Sequence, residues 1–350
     1  MQTGFPINLD LASMIGKQPI DILTSPHRKA HELVTDMIIA NKHVRQGTAP
    51  SGESLHMIET IVKNSVAHSE PIPMLTVHGC IKAGPVLNDR IDLAEVMGLH
   101  TLRLLEQRIV AVYPPGIDLT VRLEDLTEIF NVSYEHRNID KLVGYYSKSY
   151  KRLAAAMGLS FAQVRCESEM VDAHDWQHWT HFHAGLFASY LAKTRSVAND
   201  KLARTAEYND LTHMGWSGTI DHDTRTWFAA RYKRIYGKLN QWDFEYRLAH
   251  YLAGIMTRIR FGASGVKLPA IYLSLSSPLP FVFPQPRVYY RTRAAHAHLA
   301  PWCAVGYVDM ANADLKLVSA RESEFLTWHN IDYNGASIWA PYQPANVVHY

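Results

Sequence analysis

Apolar side chains recur at every third or fourth position along several stretches of the first half of the chain. This spacing places them on one face of a helix, so each stretch is predicted to be helical. Serine precedes the first two stretches, at Ser25 and Ser51, and is suited to cap a helix. The predicted helices cover residues 27–45, 53–68, 91–109 and 137–157.

Short runs rich in apolar, β-branched and aromatic residues lie between and after these helices and are predicted to be strands. The first, IPMLTVHG, ends at a glycine, and two more, IVAV and IDLTVRL, flank the turn-forming sequence YPPG. A mostly helical stretch is predicted from residue 172 to about 256. The remaining predicted strands are SFAQVRCE before that stretch and AIYLSLS, RVYYRTR, CAVGYVDM and LKLVS after it.

The alternation of strand and helix is typical of an α/β fold, in which crossover helices join the strands of one sheet. The sequence therefore predicts an α/β sheet with a helical N-terminal segment and a helix-rich middle region. We expect residues 1–70 to form the N-terminal helical segment and residues 71–350 to form one α/β catalytic domain. No repeat or low-complexity linker divides the chain further.

The composition is that of a globular protein with little net charge. Of 350 residues, 47% are hydrophobic, and 35 Lys and Arg stand against 33 Asp and Glu, for a net charge of +2. A net charge this close to zero produces no overall electrostatic field that would attract nucleic acid or an anionic membrane. Three widely spaced cysteines favour a reducing compartment. The residues at the start of the sequence do not predict a signal peptide, and no apolar run of membrane-spanning length occurs in it. We expect a soluble cytoplasmic protein.

Candidate chemistry concentrates where the first predicted strand ends. Lys82 and Arg90 lie in the loop after this strand, and a helix is predicted to begin near Asp92, with Glu95 in its first turn. Ligands of open α/β sheets bind at the carboxyl ends of strands, so Lys82 and Arg90 are candidates to hold anions. Asp92 and Glu95 are candidates for proton transfer. In the alternative interpretation, the two acidic residues cap the helix, and the two basic residues are solvated loop charges.

The chain has no glycine-rich phosphate-binding fingerprint, neither G-x-G-x-x-G nor G-x-x-x-x-G-K-[ST]. Instead, the lysine-bearing loop, the run DLAEVMGLHTLRLL, the YPPG motif and the following strand with its acidic stretch resemble the pyoverdine/dityrosine biosynthesis family, the isonitrile synthases. MGLSFAQVRCE is similar to the family's next strand and acidic loop, and APWCAVGYV followed by LKLVSARESEF resembles its late Pro-Trp segment. The match covers about residues 71–170 and is patchy later.

The resemblance implies a Rossmann-like α/β enzyme that condenses the amine of an amino acid with the ketone of ribulose 5-phosphate. Carbon–carbon cleavages would then leave the ketone carbon as an isonitrile. No metal or redox cofactor is implied, and an oxygenase of the same pathway is a possible partner. The resemblance implies that Lys82, Asp92 and Glu95 are catalytic. It also implies that Arg90, and Tyr113 of the YPPG motif, bind substrate. The identity of the amino acid and the oligomeric state are left open.

Two late positions depart from the family. Cys303 follows Pro-Trp where the family typically has histidine, and YLSLSS lacks the arginine and histidine of the corresponding family segment. Arg291 and Arg293 share one face of a predicted strand and are further candidates to bind phosphate, with a solvent-facing strand edge as the alternative. The departures indicate a divergent member that uses another amino acid or a related reaction, or a non-catalytic descendant that binds an amino acid or a sugar phosphate.

The stretch HDWQHWTHFHAG, residues 174–185, is a second group of candidates. On a helix, His174, His178 and His181 share one face, whereas His183 falls on the opposite, apolar face and is expected in the core. An i, i+4 histidine pair can chelate a metal, so an alternative function is an iron- or zinc-dependent oxygenase or hydrolase centred on His174 and His178. A third ligand farther along the same helix would diverge from the metal, which favours a cleft-lining or pH-titrating histidine face.

Overall fold

The structure is a computed structural model that describes residues 28–39, 50, 52–79, 91–125, 139–170, 173–197, 253, 269–274, 287–289, 304–312, 314–319, 323 and 326–343. Within these residues the helices are α1 (Ala30–Ile39), α2 (Gly52–His68), α3 (Leu93–Val110), α4 (Ile139–Ala156), α5 (Glu167–Met170) and α6 (Ala173–Val197). The strands are β1 (Ile72–His78), β2 (Ile117–Leu123), β3 (Ala162–Cys166), β4 (Ile271–Ser274), β5 (Arg287–Tyr289), β6 (Ala304–Asp309), β7 (Asp314–Ser319), β8 (Asn330–Tyr333), β9 (Ala336–Trp339) and β10 (Tyr342–Gln343).

The helices predicted in the first half of the sequence are present. α2, α3 and α4 begin and end within two residues of their predicted bounds. For the first predicted helix, the structure describes Ala30–Ile39, and the proposed caps Ser25 and Ser51 lie outside the described residues. Among the described helices, none combines the length and the apolar character that crossing a membrane requires.

Strands β1 to β5 form a parallel sheet in the order β3–β2–β1–β4–β5. β1 is central and pairs along its whole length with β2, from Ile72 opposite Ile117 to His78 opposite Leu123. Helix α3 lies between β1 and β2 in the chain, and α4 lies between β2 and β3, as expected of crossover connections between parallel strands. This strand order is that of the Rossmann fold, so the predicted α/β class is confirmed.

Both faces of β1 are buried, because alternate side chains of a strand point to opposite faces of the sheet. Ile72 and Met74 belong to the large core that contains residues of α3 and α4. Leu75 and Val77 pack with Tyr272 on the other face. Burial on both sides explains why IPMLTVH is almost continuously apolar instead of alternating with polar residues.

Helices α1 and α2 pack into the same core as the sheet. Their buried residues Val34, Ile38, Ile58 and Val62 belong to the cluster that holds the inner side chains of β1 and β2. α2 also contacts β1, and α1 contacts α3. The boundary near residue 70 stays a prediction, and the described helices before it share the core of the sheet.

A smaller sheet of β6, β7 and β10 packs against α3 through β6. β6 pairs antiparallel with β7 and parallel with β10. β8 and β9 form a hairpin whose turn residues Asn334 and Gly335 have φ angles of 49° and 85°. This hairpin is absent from the predicted strands, although Asn-Gly between two short strands is a strong hairpin signal.

Gly116 closes the YPPG turn in a conformation that other residues rarely adopt. Its φ is +67°, and a Cβ at this position would lie 2.5 Å from Oε1 of Glu106. Oε2 of Glu106 accepts a hydrogen bond from the backbone N–H of Ile117 at 3.1 Å. Burial raises the pKa of Glu106 to about 7, although this hydrogen bond opposes the shift. The fold therefore disfavours the charged form of this carboxyl group.

The contribution of Glu106 to the free energy of unfolding should fall as pH rises from 4.5 to about 7. Over this window the folded state holds a proton that the unfolded chain has lost, so the contribution is complete below the unfolded pKa and is lost as pH passes the folded pKa. Relative to wild type, Glu106→Gln should therefore gain about 1 kcal/mol of stability between pH 4.5 and pH 8, after allowance for solvent screening.

Urea unfolding of wild type and Glu106→Gln at pH 4.5 and pH 8 measures this difference. Glu59→Gln, which changes an exposed carboxylate of α2, is the matched control. If Glu106→Gln gains no more stability between the two pH values than Glu59→Gln does, the prediction is wrong.

Candidate functional site

The carboxyl ends of the parallel strands meet at one edge of the main sheet, and the strand order reverses between β1 and β4. Ligands of open α/β sheets bind outside this edge, at the point of reversal. β1 ends at His78, and β4 ends at Ser274. Lys82 follows β1 in the sequence and Arg90 precedes α3, but both lie outside the described residues. The described part of the candidate site is the set of side chains around the ends of β1, β2 and β3.

His78, the last residue of β1, forms a buried pair with Tyr150 of α4. Nδ1 of His78 lies 2.5 Å from the hydroxyl oxygen of Tyr150, and the rings meet edge to face with centroids 5.4 Å apart. Both residues are fully buried. Burial lowers the pKa of His78 to about 3, so the imidazole is neutral at physiological pH. A neutral imidazole has one donor and one acceptor nitrogen, so the pair is joined by a hydrogen bond without net charge.

Asp92 and Glu95 form a capping box at the start of α3. Oδ1 of Asp92 accepts a hydrogen bond from the N–H of Ala94, and Oε2 of Glu95 accepts one from the N–H of Asp92, each at 2.8 Å. This reciprocal arrangement satisfies N–H groups at the beginning of a helix. Both side chains are fully buried. The structure thus gives these residues the capping role, and their role in proton transfer stays a prediction.

The start of α3 also contacts β6 very closely. Oδ1 of Asp92 accepts a hydrogen bond from the N–H of Gly306 at 3.1 Å, across 214 positions of sequence. A Cβ on Gly306 would lie 2.3 Å from the backbone nitrogen of Ala94, so glycine is required for this approach. The run that begins at Asp92 and the segment APWCAVGYV, which resemble the same family, therefore meet at one point.

Tyr146 links the capping box to the helix that carries Tyr150. Its hydroxyl donates a hydrogen bond to Oε1 of Glu95 at 3.1 Å. Tyr146 is fully buried, and its ring centroid lies 6.0 Å from that of Tyr150, one turn along α4. Both oxygens of Glu95 therefore accept hydrogen bonds, one from the backbone of Asp92 and one from Tyr146.

An ion pair and a serine–aspartate contact join the ends of β2 and β3. Nη2 of Arg122 lies 2.5 Å from Oε1 of Glu167, and Nε donates to the same oxygen at 3.1 Å. The two side chains are 2% and 0% exposed. Ser168 donates its N–H to Oδ1 of Asp125 at 3.1 Å and its hydroxyl to Oδ2. The guanidinium of Arg122 is thus engaged by a carboxylate of its own chain.

Cys166 ends β3 beside these contacts. Burial raises the pKa of its thiol to about 11, and the nearby carboxylate of Asp125 adds to the shift. The thiol is therefore protonated at physiological pH and is not an activated nucleophile. Glu169 accepts a hydrogen bond from the N–H of Cys166 at 3.0 Å and pairs with Lys151 of α4.

Tyr113 lies at the opposite edge of the sheet, where the amino ends of β1 and β2 meet. Its hydroxyl contacts the carbonyl oxygens of Ser65 at 2.9 Å and Glu70 at 2.7 Å, both of which precede β1. The seven residues of β1 separate this edge from the carboxyl edge by about 20 Å. These contacts give Tyr113 a structural task, and its role in substrate binding stays a prediction. Arg291 and Arg293 lie outside the described residues.

The histidine stretch lies in the first half of α6. His178 and His181 are exposed and His183 is fully buried, which agrees with the predicted division into an outer face and a core face. The side chain of His174 lies outside the described residues. Across the described ranges, no group of three His, Cys, Asp or Glu side chains is arranged to hold a metal ion. A metal centre on His174 and His178 stays a prediction.

Sequence reasoning missed His78, Tyr150 and the pair of Arg122 with Glu167. A polar residue that ends a buried apolar strand just before a glycine is a usable signal for His78, because that position lies at the carboxyl edge. Arg122 occupies one of the alternating polar positions of IDLTVRL. Such a position is equally typical of a solvent-facing residue, so the pattern does not predict burial. No local pattern marks Tyr150, because its partner lies 72 positions away.

No family model matches the sequence, and no curated protein matches it. Among solved structures, the PvcA protein from Pseudomonas aeruginosa is similar, with a TM-score of 0.53 and 20% identity over 90% of this chain and 100% of that chain. A tyrosyl-tRNA synthetase from Archaeoglobus fulgidus, complexed with L-tyrosine, has a TM-score of 0.34 and 13% identity over 75% of this chain and 64% of that chain, too little similarity to indicate a shared fold. The likeness to PvcA shows the fold and agrees with the Rossmann-like architecture that the resemblance implied.

Proposed function

We propose that this protein is a divergent isonitrile synthase-like enzyme that condenses the amine of an amino acid with ribulose 5-phosphate. The observation that carries the proposal is the fold likeness to the PvcA protein over 90% of this chain and 100% of that chain. The motif resemblance over residues 71–170 and in APWCAVGYV gives separate support, because the two stretches are in contact at the start of α3.

The carboxyl edge of the sheet suits a reaction of two anionic substrates, which have to be held with their reacting atoms in contact. Arg122 is engaged by Glu167, so the anion-binding groups are expected in the segments that follow the strands. In the sequence, Lys82 comes after β1, and Arg291 comes after β5. In the proposed function, Lys82 and Arg90 hold the phosphate and the carboxylate, and Arg291 with Arg293 is a further phosphate-binding pair.

Proton transfer is assigned to Glu95 and Asp92, which also cap α3. Glu95→Gln keeps the shape of the side chain and an oxygen for the N–H of Asp92, but it removes the ionisable group. If Glu95 transfers protons, this change should lower kcat by about 100-fold or more and leave the thermal unfolding midpoint near that of wild type. Product quantification and calorimetry measure the two effects.

Glu53→Gln, which changes an exposed carboxylate of α2, is the control for Glu95→Gln and should keep full turnover. If Glu95→Gln lowers the unfolding midpoint but keeps wild-type turnover, Glu95 caps the helix and does not transfer protons.

The proposal includes a cytoplasmic location and an oxygenase that acts later in the same pathway. It also includes small-molecule substrates, with no metal or redox cofactor in the condensation itself. The identity of the amino acid substrate has to be determined by assay.

Mass spectrometry tests the proposal. Purified, chelator-treated protein is incubated with ribulose 5-phosphate, a panel of amino acids and a chemical trap for isonitriles. A trapped product that depends on both substrates is the expected result, and it identifies the amino acid. Binding of either substrate without product would favour a non-catalytic descendant of the fold. Neither product nor binding, together with stoichiometric zinc or iron in untreated protein, would favour the alternative centred on His174 and His178.

A further inference from the structure

Glu95 is held from two sides at the start of α3. Its Oε2 accepts a hydrogen bond from the N–H of Asp92 at 2.8 Å, and its Oε1 accepts one from the hydroxyl of Tyr146 at 3.1 Å. The first donor belongs to the cap of the same helix, whereas the second lies on α4, 51 positions along the chain. All three side chains are fully buried. Two elements of the fold therefore hold this carboxylate jointly.

The capping box alone does not fix the direction of Oε1 of Glu95. The torsion that rotates a glutamate carboxylate is broad and roughly two-fold, so a bond to one oxygen leaves the place of the other loosely defined. A donor on a second, rigid element removes this freedom. The ring of Tyr146 is suited to the task because it is fully buried and packs against Tyr150, with centroids 6.0 Å and planes 32° apart.

The two donors also suit the chemical form that a base requires. A deprotonated carboxylate only accepts hydrogen bonds, and a bond from N–H or O–H to a charged oxygen is roughly twice as strong as a bond between neutral groups. Phenylalanine has nearly the same volume as tyrosine and would fill the position of Tyr146. The hydroxyl group thus makes a contact that the apolar packing of α4 does not require.

We propose that Tyr146 is a positioning residue that sets the direction of the Glu95 carboxylate. The positioning rests on the two hydrogen bonds to Glu95. Its effect on turnover rests on the proposed function, in which Glu95 transfers protons. A group that transfers protons has to lie within hydrogen-bond reach of the reacting atom, so a carboxylate that turns away loses rate even though the substrate still binds.

A double-mutant cycle on kcat in the isonitrile assay tests the catalytic part. Tyr146→Phe should lower kcat about 10- to 100-fold with little change in KM. In the Glu95→Gln background the same replacement should change kcat by less than about twofold, because the group that Tyr146 orients no longer transfers protons. Tyr145→Phe changes the neighbouring tyrosine, which is 51% exposed, and as the matched control it should keep wild-type kinetics.

Tyr150→Phe separates the positioning of Glu95 from a general loosening of α4. It also removes a buried hydroxyl group from the same face of the helix, but this hydroxyl group contacts His78. Its effect on kcat, whatever the size, should be the same factor in wild type and in the Glu95→Gln background. The catalytic part is overturned if this effect disappears in Glu95→Gln. It is also overturned if Tyr146→Phe leaves kcat of an active enzyme unchanged or lowers it equally in both backgrounds.

Urea unfolding at pH 7 of wild type, Tyr146→Phe, Glu95→Gln and the double variant tests the positioning without requiring activity. Tyr146→Phe should raise the unfolding equilibrium constant about tenfold in wild type. The factor should be only about threefold in the Glu95→Gln background, where the lost hydrogen bond joins neutral groups. Equal factors in the two backgrounds overturn the positioning. If wild type makes no isonitrile, the proposed function fails, and the unfolding result still decides whether Tyr146 holds Glu95.

Discussion

Replacing Glu167 with alanine is expected to lower the free energy of unfolding by about 3 to 5 kcal/mol. The carboxylate of Glu167 lies 2.5 Å from the guanidinium of Arg122, and the two side chains are 0% and 2% exposed. Without Glu167, the charge of Arg122 stays buried and loses this carboxylate partner. Urea unfolding of the variant and of wild type at pH 7 measures the loss.

Glu169→Ala is the matched control for Glu167→Ala. Glu169 pairs with Lys151 and is 47% exposed, and an exposed pair of this kind contributes about 0 to 1 kcal/mol. Replacing both members of the buried pair, as Arg122→Met with Glu167→Leu, should restore much of the stability because neither charge of the pair then has to be buried. Equal losses in Glu167→Ala and Glu169→Ala would contradict the prediction.

Replacing Lys82 with alanine is expected to abolish turnover in the isonitrile assay, with kcat/KM lower by about 1,000-fold. In the proposed function the ammonium group holds a substrate anion, and alanine offers no charge in its place. The thermal unfolding midpoint should stay close to that of wild type, because a lysine that binds substrate has its main partner in the ligand. Trapped product and differential scanning calorimetry measure the two quantities.

Lys148→Ala serves as the control for Lys82→Ala, because Lys148 is an exposed lysine of α4, and its turnover should equal that of wild type. Lys82→Arg keeps the charge and should retain part of the activity, although a guanidinium does not reproduce the compact ammonium group. A large fall in the unfolding midpoint of Lys82→Ala with residual activity would identify a structural lysine instead.

Asp92 and Glu95 mark the limit of what local sequence predicts. Asp followed three residues later by Glu, ahead of an apolar periodic run, predicts a helix start, and the structure has a capping box there. The same two carboxylates also suit proton transfer. The contacts that bear on whether these carboxylates cap the helix or transfer protons come from Gly306 and Tyr146, which are distant in sequence.

The strand order could not be predicted from local patterns. Met74 of β1 pairs with Ile271 of β4, and no periodicity near either residue encodes that contact. Alternating strands and helices predict a parallel sheet because the crossover rule is general, but the rule does not say which strand lies beside which. The approach of β6 to α3 at Gly306 was unpredictable for the same reason, since glycine in a strand has several physical explanations.

During synthesis, β1 leaves the ribosome long before its neighbour β4. One edge of β1 finds β2 soon afterwards, but the other edge pairs with residues 271–273, which are made roughly 200 residues later, or about 10 to 40 s at ordinary translation rates. A strand that is apolar on both faces and open along one edge is a template for pairing with other chains. The nascent chain is therefore most vulnerable to misassociation while the residues between β3 and β4 are being added, and chaperone binding over that interval is expected to raise the yield of folded protein.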